Sequence, residues 1–263
     1  MNVDIYVNAL GFCGPGVGSV DALSRAFAGE NIDVPADWRP EPETLPRRQA
    51  RRLSAATLTA MAAAEQVAGV LTSEAPWVFA SSCGEGDTLN TILAALCQPE
   101  IMLQPVRFQN AVHNAAQGQF SIVAGSTGPA TSIAAFDDSV AAGLLKCLMQ
   151  MQIEQTVCGL VAFDEPLPPP LHERRPYDLT LAGALALSPQ REEGSIARLS
   201  VSSGGDRPVT DPAALRGPSH ILTSNNPVRF LLPVLAAVRG IWTEPVVLAL
   251  PGGGTLAFRA EVL

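Results

Sequence analysis

Two adjacent aspartates, Asp137 and Asp138, stand where an apolar, β-leaning stretch ends and an Ala/Leu-rich segment begins. Many enzymes place a nucleophile at such a strand-to-helix elbow, because the side chain is exposed there and the helix dipole favours an anion. The turn itself holds neither a cysteine nor a serine. Carboxylates in the first turn of a helix are stabilised by backbone N–H groups, so helix capping is the plainer interpretation of both aspartates.

A second stretch, "ASSCGEGD", places Cys83 after an expected strand and before an expected helix. A helix N-terminus favours the thiolate form, so Cys83 with His113 as base would make an acyltransferase or thioesterase. The plainer alternative is that Cys83 is a small residue packed at a strand end. His113 lies close to Asn110 and Asn114 and would then anchor a loop by hydrogen bonding.

The sequence offers little for a metal or a cofactor. Its five cysteines show no C-x-x-C spacing, which disfavours a zinc site and predicts reduced thiols. The stretch "CGPGVGSV" lacks the G-x-G-x-x-G spacing of a dinucleotide loop. We therefore expect no cofactor and no bound metal.

Charge excludes some classes of partner. The formal net charge is -8, which argues against nucleic acid and against insertion at an anionic membrane surface. The first residues include no basic side chain typical of an export signal, so a cytoplasmic protein is expected. One basic cluster would either meet an acidic carrier protein or anchor a loop to nearby carboxylates; its members are Arg47, Arg48, Arg51 and Arg52.

The pattern of apolar segments predicts strands that alternate with helices, which is typical of an α/β fold. A first strand is expected near Val3–Leu10, and a long Ala-rich helix from the arginine cluster to about Leu71. Hydrophobic residues make up 47% and charged residues only 16% of the 263 residues. This composition supplies a large core and indicates that part of the surface is covered by a partner.

Four stretches follow one another in a recognisable order: "GPGVGSVDALSRAFAGE", "RRQARRLSAATLTAMAAAEQ", "NAVHNAAQGQFSIVAGSTGPATSIAAFDDSVAAGLLKC" and "GALALS". This order resembles that of the β-ketoacyl synthases of the thiolase-like superfamily. The resemblance covers about residues 3 to 190 and is most specific from Asn110 to Leu145. It implies a thiolase-like α/β fold with a mixed, mostly parallel sheet flanked by helices.

The resemblance places Asp137 at the position of the family's nucleophilic cysteine, counting from Gly128-Pro129. Active members also carry two histidines in their C-terminal half, whereas this chain has only His220 after residue 190. The resemblance thus implies a ketoacyl-synthase-like N-terminal half, residues 1–190, joined to a truncated C-terminal half, residues 191–263. We expect no catalytic residue and no condensation by this chain alone, because a carboxylate attacking a thioester would give a high-energy anhydride.

Short ketoacyl synthase relatives that lack the nucleophile are similar to chain-length factors. The chain most resembles the small chain-length factors of aryl polyene and related type II polyene pathways. This implies a heterodimer with a catalytic ketoacyl synthase, possibly within a higher assembly, that meets acyl carrier protein through the complex. The family pairs through the edge strand that leads to the elbow. The interface and tunnel candidates are Phe108, Val112, His113, Asn114, Thr131, Ser132, Ile133 and Phe136.

Three functions are therefore open. The first is a non-catalytic, chain-length-factor-like subunit for polyene, polyketide or fatty-acid-type chain elongation. The second is a stand-alone acyltransferase or thioesterase that depends on Cys83. The third is a homodimeric acyl-binding scaffold without a ketoacyl synthase partner.

Overall fold

A computed structural model describes residues 2–100, 102, 103, 105, 108, 110–205 and 207–263. Its strands are β1 (Asn2–Cys13), β2 (Trp77–Ala80), β3 (Ala130–Ile133), β4 (Cys158–Asp164), β5 (Leu181–Ser188), β6 (Ala197–Ser203), β7 (Val246–Ala249) and β8 (Thr255–Val262). They form one eight-stranded sheet in the order β3-β2-β4-β5-β1-β6-β8-β7.

The sheet is mixed and flanked by helices, which confirms the predicted fold class. Parallel pairing is confined to one end, where β2 pairs with β3 and with β4. The other five strand pairs of the described chain are antiparallel, so the expected predominance of parallel pairs is wrong. Parallel neighbours need a crossover such as a helix, whereas β4 and β5 are joined by a long loop that reverses the chain direction.

The α-helices of the described chain are α1 (Val20–Phe27), α2 (Arg47–Ala50), α3 (Ala55–Ala68), α4 (Gly86–Leu96), α5 (Ala115–Ala124), α6 (Ser139–Glu154), α7 (Ser219–Leu222) and α8 (Leu232–Val238). None of these helices has the length and apolarity needed to cross a membrane.

The central strand β5 explains how helices cover both faces of the sheet. It is apolar throughout, yet its residues alternate in size, with alanines at 182, 184 and 186 and leucines at 185 and 187. The alanines face α3, and the leucines face the core on the opposite side. Gly11 of β1 is needed for this close approach, because a Cβ there would lie 2.2 Å from the carbonyl oxygen of Ala63.

Helix α6 packs on the opposite face, against β2 and β4. Gly143 lets this helix approach the sheet closely, because a Cβ at that position would lie 2.8 Å from the Cβ of Ala80. The helix that follows the elbow is thereby fixed directly over the strands whose ends surround the elbow.

One predicted helix differs in the structure. The single helix expected from the arginine cluster is broken after α2, because Ser54 caps a new helix by accepting a hydrogen bond from the Thr57 N–H. Later in the chain, α7 follows Pro218, and a 3₁₀ helix, Pro227–Leu231, precedes α8.

The segment after residue 190 continues the same sheet, because β6 pairs with β1. Asn226, fully buried, donates hydrogen bonds from Nδ2 to the carbonyl oxygens of Asp164 (3.1 Å) and Leu179 (2.8 Å). It therefore holds both ends of the loop between β4 and β5. The domain boundary at residue 190 stays a prediction.

Candidate functional site

The elbow is the turn between β3 and α6. Ser139 stabilises it: its Oγ donates to the carbonyl oxygen of Phe136 (2.6 Å) and accepts from the Ala135 N–H (3.0 Å). Phe136 has a φ of +53°, a left-handed conformation that is costly for an aromatic residue. Such strain persists only where the surroundings hold it, and it is concentrated at functional sites.

Asp137 forms an ion pair at the elbow. Its Oδ1 lies 2.7 Å from Nη2 of Arg175, which comes from the loop between β4 and β5. The Arg175 side chain is 10% exposed, and its guanidinium carbon lies 3.7 Å from the centroid of the Phe136 ring. Burial lowers the pKa of Arg175, but the charge and hydrogen bond of Asp137 more than reverse this and raise it. The Asp137 carboxylate is therefore the counter-ion of a buried cation.

Neither aspartate caps α6 as the sequence predicts. Asp138 occupies the position before the helix, but its side chain makes no capping hydrogen bond. Burial and the neighbouring charge of Asp137 raise the pKa of Asp138. The elbow turn is held instead by the hydroxyl of Ser139, so the capping interpretation is wrong for both carboxylates.

The side of the elbow that faces the C-terminal segment is nearly closed. A cavity of about 40 Å³ lies between the two aspartates and that segment. Ligand pockets are commonly several hundred Å³, so this space suits water rather than an acyl chain. Its lining from the C-terminal segment is apolar and consists of Val209, Phe230, Leu248 and Ala249.

The turn after β2 wraps around a buried carboxylate. Asp164, the last residue of β4, accepts hydrogen bonds from Ser81 Oγ (2.8 Å), Ser82 Oγ (2.9 Å), Ser82 N (3.0 Å) and Cys83 N (3.2 Å). Burial raises the pKa of Asp164, although these hydrogen bonds act in the opposite direction. Nη2 of Arg175 also lies 3.4 Å from Ser82 Oγ, so this turn and the elbow share one arginine.

Cys83 and His113, the alternative catalytic pair, lie near each other without being hydrogen-bonded in the described part of the chain. The His113 ring packs on Gly84, where a Cβ would lie 3.0 Å from Cδ2. Its Nε2 lies 3.0 Å from the Ser81 carbonyl oxygen and therefore donates to it, because a carbonyl only accepts. The Cys83 thiol is 3.4 Å from Ser82 Oγ. The geometry thus favours the loop-anchor interpretation of His113.

A pair of buried carboxylates, Glu85 and Glu165, joins two helix ends. Glu165 accepts hydrogen bonds from the N–H groups of Ala56 (3.0 Å) and Asp87 (3.4 Å), in the first turns of α3 and α4. Burial and then the charge of Glu85 raise the pKa of Glu165 to about 7. Glu85 is held by the Thr57 hydroxyl at 2.6 Å. Among the residues that the structure describes, no group of three or more His, Cys, Asp or Glu could hold a metal ion.

Strand β3 is an outer strand of the sheet, and no strand of the described chain pairs with its other edge. The carbonyl oxygens of Pro129 and Ile133 accept hydrogen bonds from the N–H groups of Trp77 and Ser81, at 2.9 and 3.1 Å. The N–H and C=O groups of successive residues point to opposite sides of a strand. Those of Ala130 and Ser132 therefore point away from the sheet and are available to another strand.

The predicted interface residues differ in exposure. Phe108, Val112 and Phe136 are exposed (67%, 50% and 62%), and Asn114 is also exposed. The remaining candidates are half-buried: His113, Thr131, Ser132 and Ile133. Other large apolar side chains are exposed on α4 and α5, namely Leu89, Leu93, Leu96 and Ile122.

The four clustered arginines lie on α2 and in the turn after it, and all are exposed. Within the described chain none of them forms an ion pair, so the alternative of loop anchoring to carboxylates finds no support. Arg47 and Arg51 line an open groove of about 500 Å³ together with Arg39. Contact of this cluster with a carrier protein stays a prediction.

The family model described as β-ketoacyl synthase, N-terminal domain, matches residues 27–243, which is most of the sequence. The chain belongs to the β-ketoacyl synthase family. A comparison with curated proteins finds none that matches this chain.

Solved structures of ketosynthase complexes have the same fold. One chain of the ketosynthase (ApeO) with its chain length factor (ApeC) from Xenorhabdus doucetiae is 19% identical with a TM-score of 0.74, over 98% of this chain and 99% of that chain. A chain of the ishigamide ketosynthase/chain length factor is 13% identical with a TM-score of 0.71, over 98% and 99%. A chain of AntDE:AntF, a type II polyketide synthase carrier protein with its ketosynthase bound to the hexaketide, is 12% identical with a TM-score of 0.75, over 99% and 100%.

Two site residues of this β-ketoacyl synthase family chain were missed by the sequence reasoning: Asp164 and Arg175. Asp164 ends a strongly apolar strand next to Glu165, and two acids at the end of a buried strand are a usable signal. Arg175 gives no such signal, because it stands beside Arg174 in a proline-rich loop and only the fold determines which of the two is buried.

Proposed function

We propose that this chain is a non-catalytic, chain-length-factor-like subunit that pairs with a catalytic β-ketoacyl synthase. The observation that carries the proposal is the ion pair between Asp137 and Arg175 at the elbow, where a condensing enzyme needs a free thiolate. A carboxylate held by a buried arginine cannot form the thioester intermediate.

The surroundings of the elbow agree with this role. Decarboxylative condensation also needs groups that stabilise an enolate oxyanion. Of the three histidines, His113 bonds the Ser81 carbonyl and His172 pairs with Asp178. In the described chain no histidine hydrogen-bonds an elbow residue, and apolar side chains close the elbow on the C-terminal side. The elbow therefore lacks both the nucleophile and the groups that would assist it.

The outer edge of β3, unpaired in the described chain, and the exposed apolar side chains support a partner. An open strand edge invites pairing with another chain unless it is covered. Exposed apolar groups such as Phe108, Val112 and Phe136 are typical of interaction surfaces. The proposed partner is a ketoacyl synthase whose equivalent strand pairs antiparallel with β3, in a heterodimer or a higher assembly.

Within that complex, this subunit would stabilise the synthase and close the end of its acyl tunnel, which limits the length of the product. The carrier-bound chain would reach the complex through acyl carrier protein, in the cytoplasm. Polyene biosynthesis is the pathway we propose, with polyketide or fatty-acid-type elongation as the broader class. The ketosynthase and chain length factor complexes that share this fold support a ketosynthase partner.

The proposal is tested by co-expression with the ketoacyl synthase encoded nearest to this chain, followed by affinity co-purification and light scattering. A stable one-to-one complex is expected. Ser132→Pro should abolish it, because proline removes an outward N–H of β3 without touching the bonds to β2. The matched control Ser132→Ala, which loses only the side-chain bond to Gln117, should keep the complex. A symmetric dimer of this chain alone, or a monomer indifferent to the synthase, would contradict the proposal.

A further inference from the structure

Arg175 occupies an unusual position for an arginine at a protein surface. It lies on the loop between β4 and β5, and its backbone N–H donates to the carbonyl oxygens of Leu171 and His172 at 3.2 and 3.1 Å. Tyr177, buried two residues later, and the bond from Asn225 Nδ2 to the Pro176 carbonyl (3.1 Å) hold the loop in place. The backbone of Arg175 is therefore fixed from both sides.

The guanidinium group makes three contacts that converge on the elbow. It stacks on the ring of Phe136, pairs with Asp137 and reaches the hydroxyl of Ser82. These contacts join the elbow, the turn after β2 and the β4–β5 loop into one unit. Arg175 Nε is buried without a hydrogen-bond partner in the described chain, so stacking and ion pairing are what hold the group there.

Phe136 is the part of this unit that is exposed at the surface. Its backbone is in the left-handed region, and one face of its ring is covered by Arg175 while the residue as a whole stays 62% exposed. Beyond its contact with Arg175, the exposed part of this ring gains nothing from packing in the isolated chain, and its backbone conformation is costly. Buried aromatic rings at the centre of an interface, by contrast, carry much of the binding energy between proteins.

We infer that Arg175 is the positioning residue of the elbow: it presents the ring of Phe136 to a partner subunit, and Asp137 serves at the nucleophile position as its counter-ion. The choice of occupant, a ketoacyl synthase chain, rests on the proposed function and on the open edge of β3 beside the ring. The presentation of Phe136 by Arg175 does not depend on it. Asp137 therefore has a structural role at the elbow although it does no chemistry.

The first test needs no partner. The chain is labelled with fluorophenylalanine, and the ¹⁹F resonance of Phe136 is assigned with Phe136→Leu. Arg175→Met keeps an unbranched aliphatic stem but removes the guanidinium. The Phe136 resonance should then shift toward the value of a solvent-exposed, motionally averaged ring. Arg174→Met, a neighbouring exposed arginine, should leave it unchanged. An unchanged Phe136 resonance in Arg175→Met would overturn the inference.

The second test uses the complex. Phe136→Ala and Arg175→Met should each raise the dissociation constant about tenfold or more, and the double variant should be no weaker than Phe136→Ala alone. A purely structural role of Arg175 would instead weaken binding further in the Phe136→Ala background, and this would contradict the inference.

A conservative variant guards against misfolding. Arg175→Lys keeps the positive charge for Asp137 but loses the planar stacking surface. Compared with Arg175→Met, it should therefore recover more of the free energy of unfolding than of the affinity for the partner. Equal restoration of both would count against the inference. If the wild-type chain fails to bind any ketoacyl synthase, the proposed function fails, whereas the ¹⁹F experiment still decides whether Arg175 positions Phe136.

Discussion

The carboxylates at the elbow follow the end of β3, and Asp164 and Glu165 lie at the end of β4. The two groups occupy comparable places at strand ends, but their surroundings differ. Asp137 is 57% exposed and is neutralised by the cation of Arg175. Asp164 and Glu165 are buried, and in the described chain only N–H and O–H groups bind them. Burial raises the pKa of both of these acids. The buried acids therefore hold several backbone and hydroxyl groups of the fold together, whereas Asp137 serves one local contact.

The largest expected effect is that of Asp164→Asn. An amide presents a donor to a pocket formed entirely by donors, namely the hydroxyls and N–H groups of Ser81, Ser82 and Cys83. We expect the free energy of unfolding to fall by about 3 kcal/mol, measured by urea denaturation. The exposed Asp33→Asn is the control and should lose almost nothing. A loss as small as that of the control would remove the distinction between the two groups of acids.

The next effect concerns the pH dependence of Glu165. Its pKa in the folded chain is about 7, above the ordinary value of 4.5, so the native state binds the proton more tightly than the unfolded state. This contribution to stability is therefore present at low pH and is lost as the pH rises from about 4.5 to about 7. Glutamine does not titrate, so Glu165→Gln does not lose this contribution as the pH rises. The free energy of unfolding of the variant relative to the wild type should therefore increase from pH 4.5 to pH 7 by on the order of 2 kcal/mol.

Urea midpoints measured at pH 4.5, 5.5, 6.5 and 7.5 would check this difference. The exposed Glu173→Gln should track the wild type at every pH. A difference between Glu165→Gln and the wild type that does not change with pH would mean that Glu165 titrates normally, like an exposed acid.

The smallest expected effect is a change in the pKa of Asp138 when the neighbouring Asp137 loses its charge. Asp137→Asn keeps an oxygen for the bond to Arg175 but removes the negative charge beside Asp138. Because that charge helps to raise the pKa of Asp138, the variant should lower it. An NMR titration of the Asp138 carboxyl group would measure the change, with Asp21→Asn as a distant control. A pKa that stays the same or rises would show that the two elbow carboxylates are not coupled.

Much of the fold could be predicted because local patterns determine it. The alternation of apolar strands with helices and the order of the family motifs gave the fold class and the position of the elbow. The direction of strand pairing was misjudged, because β4 and β5 are equally apolar whether their neighbours run parallel or antiparallel. The break before α3 was missed, because a capping serine inside a helix-forming sequence is a weak local signal.

The candidate site was less predictable because its contacts are distant in sequence. Asp137 and Cys83 could be selected by their places at strand ends. Their partners could not, because Arg175 lies 38 residues from Asp137 and Asp164 lies 81 residues from Cys83. Only the folded sheet brings these residues together, so their roles follow from topology rather than from spacing.

The most direct test of the central claim assigns the condensing nucleophile within the complex. Elongation of a carrier-bound chain is measured with three complexes: one with the cysteine of the synthase partner replaced by alanine, one with Asp137→Asn and one with Cys83→Ala in this chain. We expect the first complex to be inactive and the other two to elongate at the wild-type rate. Turnover that survives loss of the partner's cysteine, or that disappears with Cys83→Ala while the complex stays intact, would contradict it.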